Sequence, residues 1–71
     1  MPLTMVGIGR RVRVVGIEGG RRLQTRLAEM GLFPGVEIDV INNTFHGPFI
    51  VGVKGSRVIL GRGMALKIMV E

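Results

Sequence analysis

The sequence predicts a small, mainly β barrel of about five short strands, with one short α-helix after the first strand. Three observations lead to this fold class. Apolar and polar residues alternate in several short segments. Glycine and proline interrupt those segments at close spacing. A chain of 71 residues can bury only one adequate core, so we expect residues 1–71 to form a single domain.

The first strand is predicted over residues 11–17. Valine alternates with arginine there, and a period of two is typical of a half-buried strand. The pair Gly19-Gly20 ends this pattern, and a helix is predicted over residues 21–30. Three apolar side chains share one face of that helix and are expected to face the core: Leu23, Leu27 and Met30.

The helix is expected to stop at Gly31. Glycine suits the left-handed position just beyond a helix, and Leu32 can supply the hydrophobic contact of a Schellman ending. Pro34 and Gly35 then predict a type II turn, because proline fixes φ and glycine tolerates a positive φ. The chain therefore reverses direction immediately after the helix.

The remaining strands follow at short intervals. Alternation predicts a strand over residues 36–41, followed by a polar loop over residues 42–48. Residues 49–53 and 57–60 predict a hairpin through the turn at residues 54–56. One helical turn is expected before a last strand with three inward side chains: Leu66, Ile68 and Val70.

Five strands at this spacing favour an SH3-like barrel, because closure of a sheet removes its exposed edges. Residues 2–9 are expected to lie across that barrel as an arm. The absence of cysteine excludes disulfides and thiolate chemistry and suits a reducing cytosol. No signal peptide is indicated, and polar residues interrupt the longest uncharged run, at 40–53. We therefore expect a soluble cytoplasmic protein.

The sequence offers few groups for catalysis. A triad of Ser56, His46 and Asp39 can be written, but Ser56 falls in a predicted turn and nothing resembles a nucleophile elbow. The five acidic residues are scattered along the chain, and no Walker or G-x-G-x-x-G pattern occurs. We expect no catalytic residue, no cofactor and no metal site, and therefore a protein that is not an enzyme.

The net charge of +5 suits an anionic partner, which can be nucleic acid, the inner membrane surface or an acidic protein face. Small basic barrels often bind nucleic acid. Exposed aromatic side chains usually provide the stacking surface, whereas this chain has only Phe33, Phe45 and Phe49, none of them among the arginines. We therefore expect no specific nucleic-acid binding, and a basic nucleic-acid-binding barrel stays an alternative.

The predicted helix carries an unusual charge distribution. Arg21, Arg22 and Arg26 place positive charge in its first half, against the helix dipole, and Arg22 repels Arg26 at a spacing of four. Each effect is worth only a few tenths of a kcal/mol. Two interpretations stay open: a solvated face partly offset by Arg26 with Glu29, or a face that contacts a partner.

Two stretches together resemble a known family. The stretch R-L-A-E-M-G-L-F-P-G occupies residues 26–35, and L-G-R-G-M-A occupies residues 60–65, with Gly47-Pro48 between them. This pattern resembles ferrous iron transport protein A, the FeoA family, and the likeness extends from Leu3 to Val70. The resemblance implies a cytosolic SH3-like barrel that regulates the membrane Fe²⁺ transporter of the Feo system by contacting its cytoplasmic GTPase region.

By the same likeness, the helix end and the following turn are the best candidate contact surface, and the dipole argument adds two arginines. The candidate partner-binding residues are Arg22, Arg26, Leu27, Met30, Gly31, Leu32, Pro34 and Gly35. The resemblance also implies an alternative, since iron- and manganese-dependent repressors carry this barrel as a C-terminal domain. A repressor would have a helix-turn-helix upstream, and a chain beginning at Met1 argues against it unless the domain is excised.

Overall fold

The computed structural model describes all 71 residues, Met1–Glu71. A 3₁₀ turn at Leu3–Met5 comes first, and two helices and five strands follow it. In chain order these are β1 Arg11–Ile17, α1 Arg21–Glu29, β2 Glu37–Asn42, β3 Phe49–Val53, β4 Ser56–Leu60, α2 Arg62–Leu66 and β5 Ile68–Val70. The predicted mainly β fold, with a helix after the first strand, is confirmed.

All five strands belong to one antiparallel sheet in the order β4-β3-β2-β1-β5. Alternation determines which face of each strand is buried. Val12 and Val14 of β1 point into the core, as do Ile38 and Val40 of β2. The outer face of the same two strands carries the charged side chains, so one face is dry and the other faces solvent.

The core consists of sixteen buried residues, and every one of them is hydrophobic. Phe49 of β3 lies at 0% exposure, as do Leu3 from the N-terminal segment and Leu27 from α1. Residues from both helices and from the N-terminal segment therefore cover the apolar face of the sheet and complete the core. Burial of apolar area at roughly 25 cal/mol per Å² is the main stabilising contribution available to so short a chain.

The two edges of the sheet differ. The N-terminal segment covers β5, where Pro2 bridges Met69 and the Val70 amide donates to the Met1 carbonyl at 2.7 Å. Leu3 and Val6 of that segment are buried, which confirms the expected arm across the barrel. The opposite edge, β4, pairs only with β3. The predicted small barrel of five strands is therefore confirmed, and its edge strands β4 and β5 are not hydrogen-bonded to each other.

The predicted helix ending is confirmed in detail. Gly31 has φ +86°, the Leu32 amide donates to the Leu27 carbonyl at 2.9 Å, and the Gly31 amide donates to the Ala28 carbonyl at 2.9 Å. These two hydrogen bonds define a Schellman motif. In the following turn Gly35 has φ +99°, as a type II turn requires.

Two details of the sequence prediction are wrong. Leu66 was expected to face inward from the last strand, but it ends α2 and is 54% exposed. The helix buries Ala65 instead, and β5 begins only at Ile68. Ser56 belongs to β4 rather than to the turn, because Lys54 and Gly55 reverse the chain by themselves with φ values of +49° and +83°.

We expect Gly31→Ala to destabilise the fold by about 1 to 2 kcal/mol, because an L-residue is strained in the left-handed region. A Cβ here would also lie 3.3 Å from Val53 Cγ1. Urea denaturation should show a lower midpoint with an unchanged slope. Gly63→Ala is the control, since its Cβ meets nothing within 4 Å. Equal midpoints for the two variants would contradict this account.

The outer face of β1 and β2 carries an ion pair. Arg11 and Asp39 are cross-strand partners, and Arg11 Nε lies 2.8 Å from Asp39 Oδ1. The hydrogen bond from Arg11 lowers the pKa of the Asp39 carboxyl below its usual range. Because the folded-state pKa is the lower one, the pair stabilises the fold at neutral pH and stops doing so as the pH falls through that pKa.

We therefore expect an NMR titration of the Asp39 carboxyl to give a midpoint below that of an ordinary aspartate. Arg11→Gln should move this midpoint back towards the ordinary value, because it removes the guanidinium that donates the hydrogen bond to the carboxylate and carries the opposite charge. Arg13→Gln is the control, since Arg13 pairs with Glu71 instead. A midpoint that is the same in all three proteins would refute the assignment.

Candidate partner-binding surface

The exposed side of α1 and the turn after it form one continuous surface, which we call the helix–turn surface. Its exposed residues are Arg21, Arg22, Thr25, Arg26, Ala28, Glu29, Phe33, Pro34 and Gly35. The Schellman motif at Gly31 and the turn at Gly35 fix the angle at which the helix leaves and the chain returns. Two backbone hydrogen bonds, Gly35 to Val14 at 2.7 Å and Val14 to Val36 at 2.9 Å, anchor the turn to β1.

The charged part of this surface is a row along α1. Arg22, Arg26 and Glu29 follow at spacings of four and three, so they share one side of the helix. They border a shallow depression of about 470 Å³ together with Arg21 and Thr25. The expected offset of Arg26 by Glu29 does not form, because the structure's two ion pairs both lie elsewhere.

The start of α1 has no side-chain cap. Gly20 occupies the N-cap position, and no acidic residue lies in the first turn. Gln24 donates through Nε2 to the Gly19 carbonyl at 3.1 Å, which ties the loop to the helix and accepts nothing from its first amide groups. The amide groups that begin a helix carry partial positive charge, and here Arg21 and Arg22 add to it. This end of the helix is therefore electrostatically complementary to an acidic partner.

Gly19 brings the loop against the helix. A Cβ at this position would lie 2.6 Å from Leu23 Cδ2, which is closer than real Cβ atoms approach. The absence of a side chain therefore allows the loop before α1 to pack on Leu23. The Gly19-Gly20 pair was predicted to end the first strand, and packing against Leu23 is a further reason for glycine at position 19.

A groove of about 270 Å³ runs between α1 and the turn. Its accessible apolar lining includes Ile17, Ala28 and Phe33, and the fully buried Leu32 lies beneath them. Phe33 is 42% exposed, and the Lys54 ammonium lies 5.9 Å from its ring centroid, within cation–π range. The groove thus combines an apolar lining with a cationic rim.

The structure divides the predicted contact residues into three groups. Arg22, Arg26, Pro34 and Gly35 are exposed; Met30 and Gly31 are half-buried; Leu27 and Leu32 are fully buried. The last two cannot offer their side chains to a partner. Their assignment as contacts needs correction, because both pack in the core and support the helix–turn surface from beneath.

Two residues of the helix–turn surface were not among the predicted contact residues. Arg21 and Phe33 line the groove between α1 and the turn. Helical spacing would have found Arg21, since Thr25 and Ala28 follow it at four and seven residues on the same side. Phe33 gave no periodic signal, because it lies in a turn whose side-chain directions depend on Pro34 and Gly35.

The other candidate groups lie apart from this surface. Asp39 is bound by Arg11 on the outer face of the sheet, and His46 packs edge-on against Phe45 at 4.9 Å between ring centroids. No group of three or more His, Asp or Glu side chains comes together in a way that could hold a metal ion. Neither α1 nor α2 has the length and apolar character needed to cross a membrane.

Comparison with known proteins now adds to this geometry. A family model described as the FeoA domain matches residues 1–71, the full length of the chain. The chain belongs to the FeoA family. This confirms the resemblance carried by the stretches at 26–35 and 60–65.

Individual FeoA relatives agree with the family match. A Methanocaldococcus jannaschii protein with the provisional name Fe(2+) transport protein A is 43% identical over 70 residues, covering 99% of this chain and 84% of that protein. A crystal structure described as iron uptake regulatory protein (FeoA) is 40% identical with a TM-score of 0.89, covering 99% of this chain and 92% of the other.

The same barrel also occurs outside the FeoA family. A manganese-dependent transcriptional repressor matches with a TM-score of 0.84 at 21% identity, covering 96% of this chain and 39% of the repressor. Similarity at this level concerns the fold alone. It supports the expectation that metal-dependent repressors use a barrel of this type.

We expect Arg22→Glu to stabilise the isolated chain by about 0.5 kcal/mol, because it places negative charge in the first turn and opposite charge four residues before Arg26. Thermal or urea unfolding would measure the change. Arg22→Gln is the control and should give a smaller gain, since it only removes the repulsion. Destabilisation by Arg22→Glu would mean that this arginine supports the fold.

Proposed function

We propose that this protein is a cytoplasmic accessory and regulatory component of a ferrous-iron uptake system, and that it binds the GTPase region of the membrane Fe²⁺ transporter. The observation that carries the proposal is the helix–turn surface, where three arginines without ion-pair partners lie beside an apolar groove. The family and the names of its relatives supply the iron-transport context.

The composition of the surface favours protein binding. Arginine and aromatic residues are enriched at interfaces and among the residues that contribute most to affinity. Arg22 lies in the first turn, where it opposes the helix dipole, and it repels Arg26 at a spacing of four, so local stability does not account for Arg22. Arg26 lies in the last turn, where the dipole favours a cation, which corrects the expectation from sequence. An acidic partner face would remove this repulsion and complement the start of α1 at the same time.

The groove supplies the second part of the contact. Phe33 and Pro34 are exposed at its edge, and Phe33 is held by the turn rather than by a flexible loop. A rigid exposed aromatic ring loses little conformational entropy on binding. An apolar side chain of the partner fits between this ring and Ala28, with the arginines around it.

The proposal assigns the protein no catalytic step. The surface offers mainly guanidinium groups and apolar side chains, with Glu29 as its one carboxylate, Thr25 as its one hydroxyl and neither histidine nor cysteine. Guanidinium and apolar groups bind and orient a partner. Regulation would therefore act through binding energy, by favouring one conformational state of the partner over another.

The direct test measures binding of the purified chain to the cytoplasmic domain of its Feo transporter, both without nucleotide and loaded with GTP. We expect a complex that Arg22→Glu with Arg26→Glu weakens by about tenfold or more, because the double change reverses the charge of the surface. Isothermal titration calorimetry would give the affinities. The matched control is Arg10→Glu with Lys67→Glu, the same charge change on exposed residues elsewhere.

Uptake of ferrous iron provides the cellular readout. A strain that lacks the protein should lose uptake and regain it with the wild-type chain but not with the Arg22 and Arg26 double variant. Leu27→Gln serves as the folding control, since it places an amide in the core and disrupts packing. Absence of a complex in both nucleotide states, with normal uptake by the double variant, would refute the proposal.

A further inference from the structure

The exposed edge of β4 is a second possible contact site, separate from the helix–turn surface. No backbone hydrogen bond links any residue of β4 to a group outside the β3–β4 ladder. The other edge of the sheet is covered, because the N-terminal segment pairs with β5 through Met1 and Pro2. One edge of the sheet is thus paired and the other is open.

The geometry of the hairpin shows which groups of β4 point outward. A two-residue turn at Lys54-Gly55 makes Val53 and Ser56 a hydrogen-bonded pair. Hydrogen-bonded and non-bonded pairs alternate along an antiparallel ladder. Arg57 and Ile59 therefore form the non-bonded pairs, and their N–H and C=O groups face away from β3. Four backbone groups on alternate residues are ready to accept an added strand.

The side chains beside these groups are arranged for recognition on the outer face. Ile59 is 69% exposed and lies directly opposite Ile50 of β3. Arg57 lies opposite Gly52, whose missing side chain leaves room for Ile41: a Cβ there would be 3.2 Å from Ile41 Cδ1. The edge thus presents an apolar position next to a basic one.

The charges nearest to β4 along the chain are basic, while Glu37 and Asp39 of β2 border the same outer depression as Lys54 and Arg57. No acidic residue occurs between Asp39 and Glu71, and β4 lies within this stretch with Lys54, Arg57 and Arg62. Arg57 makes no ion pair, and Asp39 on the same face is already bound to Arg11. A second copy would either set Arg57 opposite Arg57, which is destabilising, or set Arg57 opposite Ile59 and leave it without an opposite charge, whereas an acidic segment supplies that charge.

We propose that the outer edge of β4 binds an extended acidic segment of another protein as an added β-strand. An acidic side chain of that segment lies opposite Arg57, an apolar side chain lies opposite Ile59, and backbone hydrogen bonds from these two residues supply the pairing. Backbone pairing gives affinity for any extended chain, and the alternation of basic and apolar positions selects the sequence.

The test uses the full chain, labelled with ¹⁵N, and a blocked peptide Thr-Glu-Thr-Val-Thr-Glu-Thr. This peptide has the same order in both directions, so it serves for parallel and antiparallel addition. We expect NMR shift changes centred on the amides of Arg57 and Ile59. Lysine in place of glutamate should abolish them, because it removes the opposite charge. N-methylation should abolish them by removing the hydrogen bonds, at the glutamate and valine nitrogens for antiparallel addition and at the threonine nitrogens for parallel addition.

Two variants of the protein locate the binding. Arg57→Glu should lower the affinity for the glutamate peptide by about tenfold and allow the lysine peptide to bind. Ile59→Pro removes an outward N–H while sparing the β3–β4 hydrogen bonds, because Ile59 is in a non-bonded pair. It should abolish binding. Where Ile59→Pro fails to fold, the N-methylated peptide tests the same hydrogen bonds on the intact protein.

Three results would overturn this proposal. The first is that the glutamate peptide shifts only NMR signals of the helix–turn surface. The second is that the peptide shows no saturable binding at millimolar concentration. The third is that sedimentation shows a dimer that Ile59→Pro dissociates. The last result would make a second copy the occupant of the edge. Binding of the transporter domain that depends on Arg22 and Arg26 is measured separately, so either proposal can fail alone.

Discussion

Burial of Leu27 and Leu32 in the core is the contact on which the rest of the molecular surface depends. Helix α1 has nine residues, no side-chain cap and basic residues at its start. Isolated helices shorter than roughly 12 residues are marginal in water even with favourable charges. Tertiary packing must therefore hold this helix, and the Schellman motif at Gly31 brings both leucines into the same core.

That arrangement separates stability from recognition. The side chains that hold α1 on the core point inward. Residues on its outer side can therefore lower the stability of the helix itself without unfolding the protein. Arg22 and Arg26 are such residues. Their mutual repulsion costs a few tenths of a kcal/mol, whereas the burial of one leucine contributes about 2 kcal/mol. A small domain stays folded with a repulsive charged face only where such packing lies directly beneath that face.

Most of the fold followed from the sequence because local rules and tertiary structure agree. Leu23, Leu27 and Met30 lie on the inner side of α1, and Gly31 and Gly35 adopt positive φ, as their positions predicted. Leu66 was misplaced because a residue two positions before Ile68 fits a strand pattern as well as a helix end. Alternation cannot distinguish the two when a helix of five residues runs directly into a strand.

The surface was harder to predict because it depends on contacts between distant segments. Phe33 acquires its neighbour Lys54 only when the hairpin folds against the turn, and the openness of β4 appears only once β5 is seen to pair with the N-terminal segment. Sequence periodicity assigns a face to each strand and says nothing about which strand lies at an edge. For that reason the sequence did not indicate that β4 and β5 are not hydrogen-bonded to each other.

Lys54 joins the two proposed contact sites. It lies over Phe33 on one side and begins the hairpin turn that leads into β4 on the other. Each site alone is modest, one a shallow groove and the other a strand edge with two outward-facing residues. A partner that presents an acidic face and an extended segment together binds the second site at high effective concentration after the first. Adjacent weak sites then give specificity that neither provides alone, because only a partner with both features in the right spacing engages both.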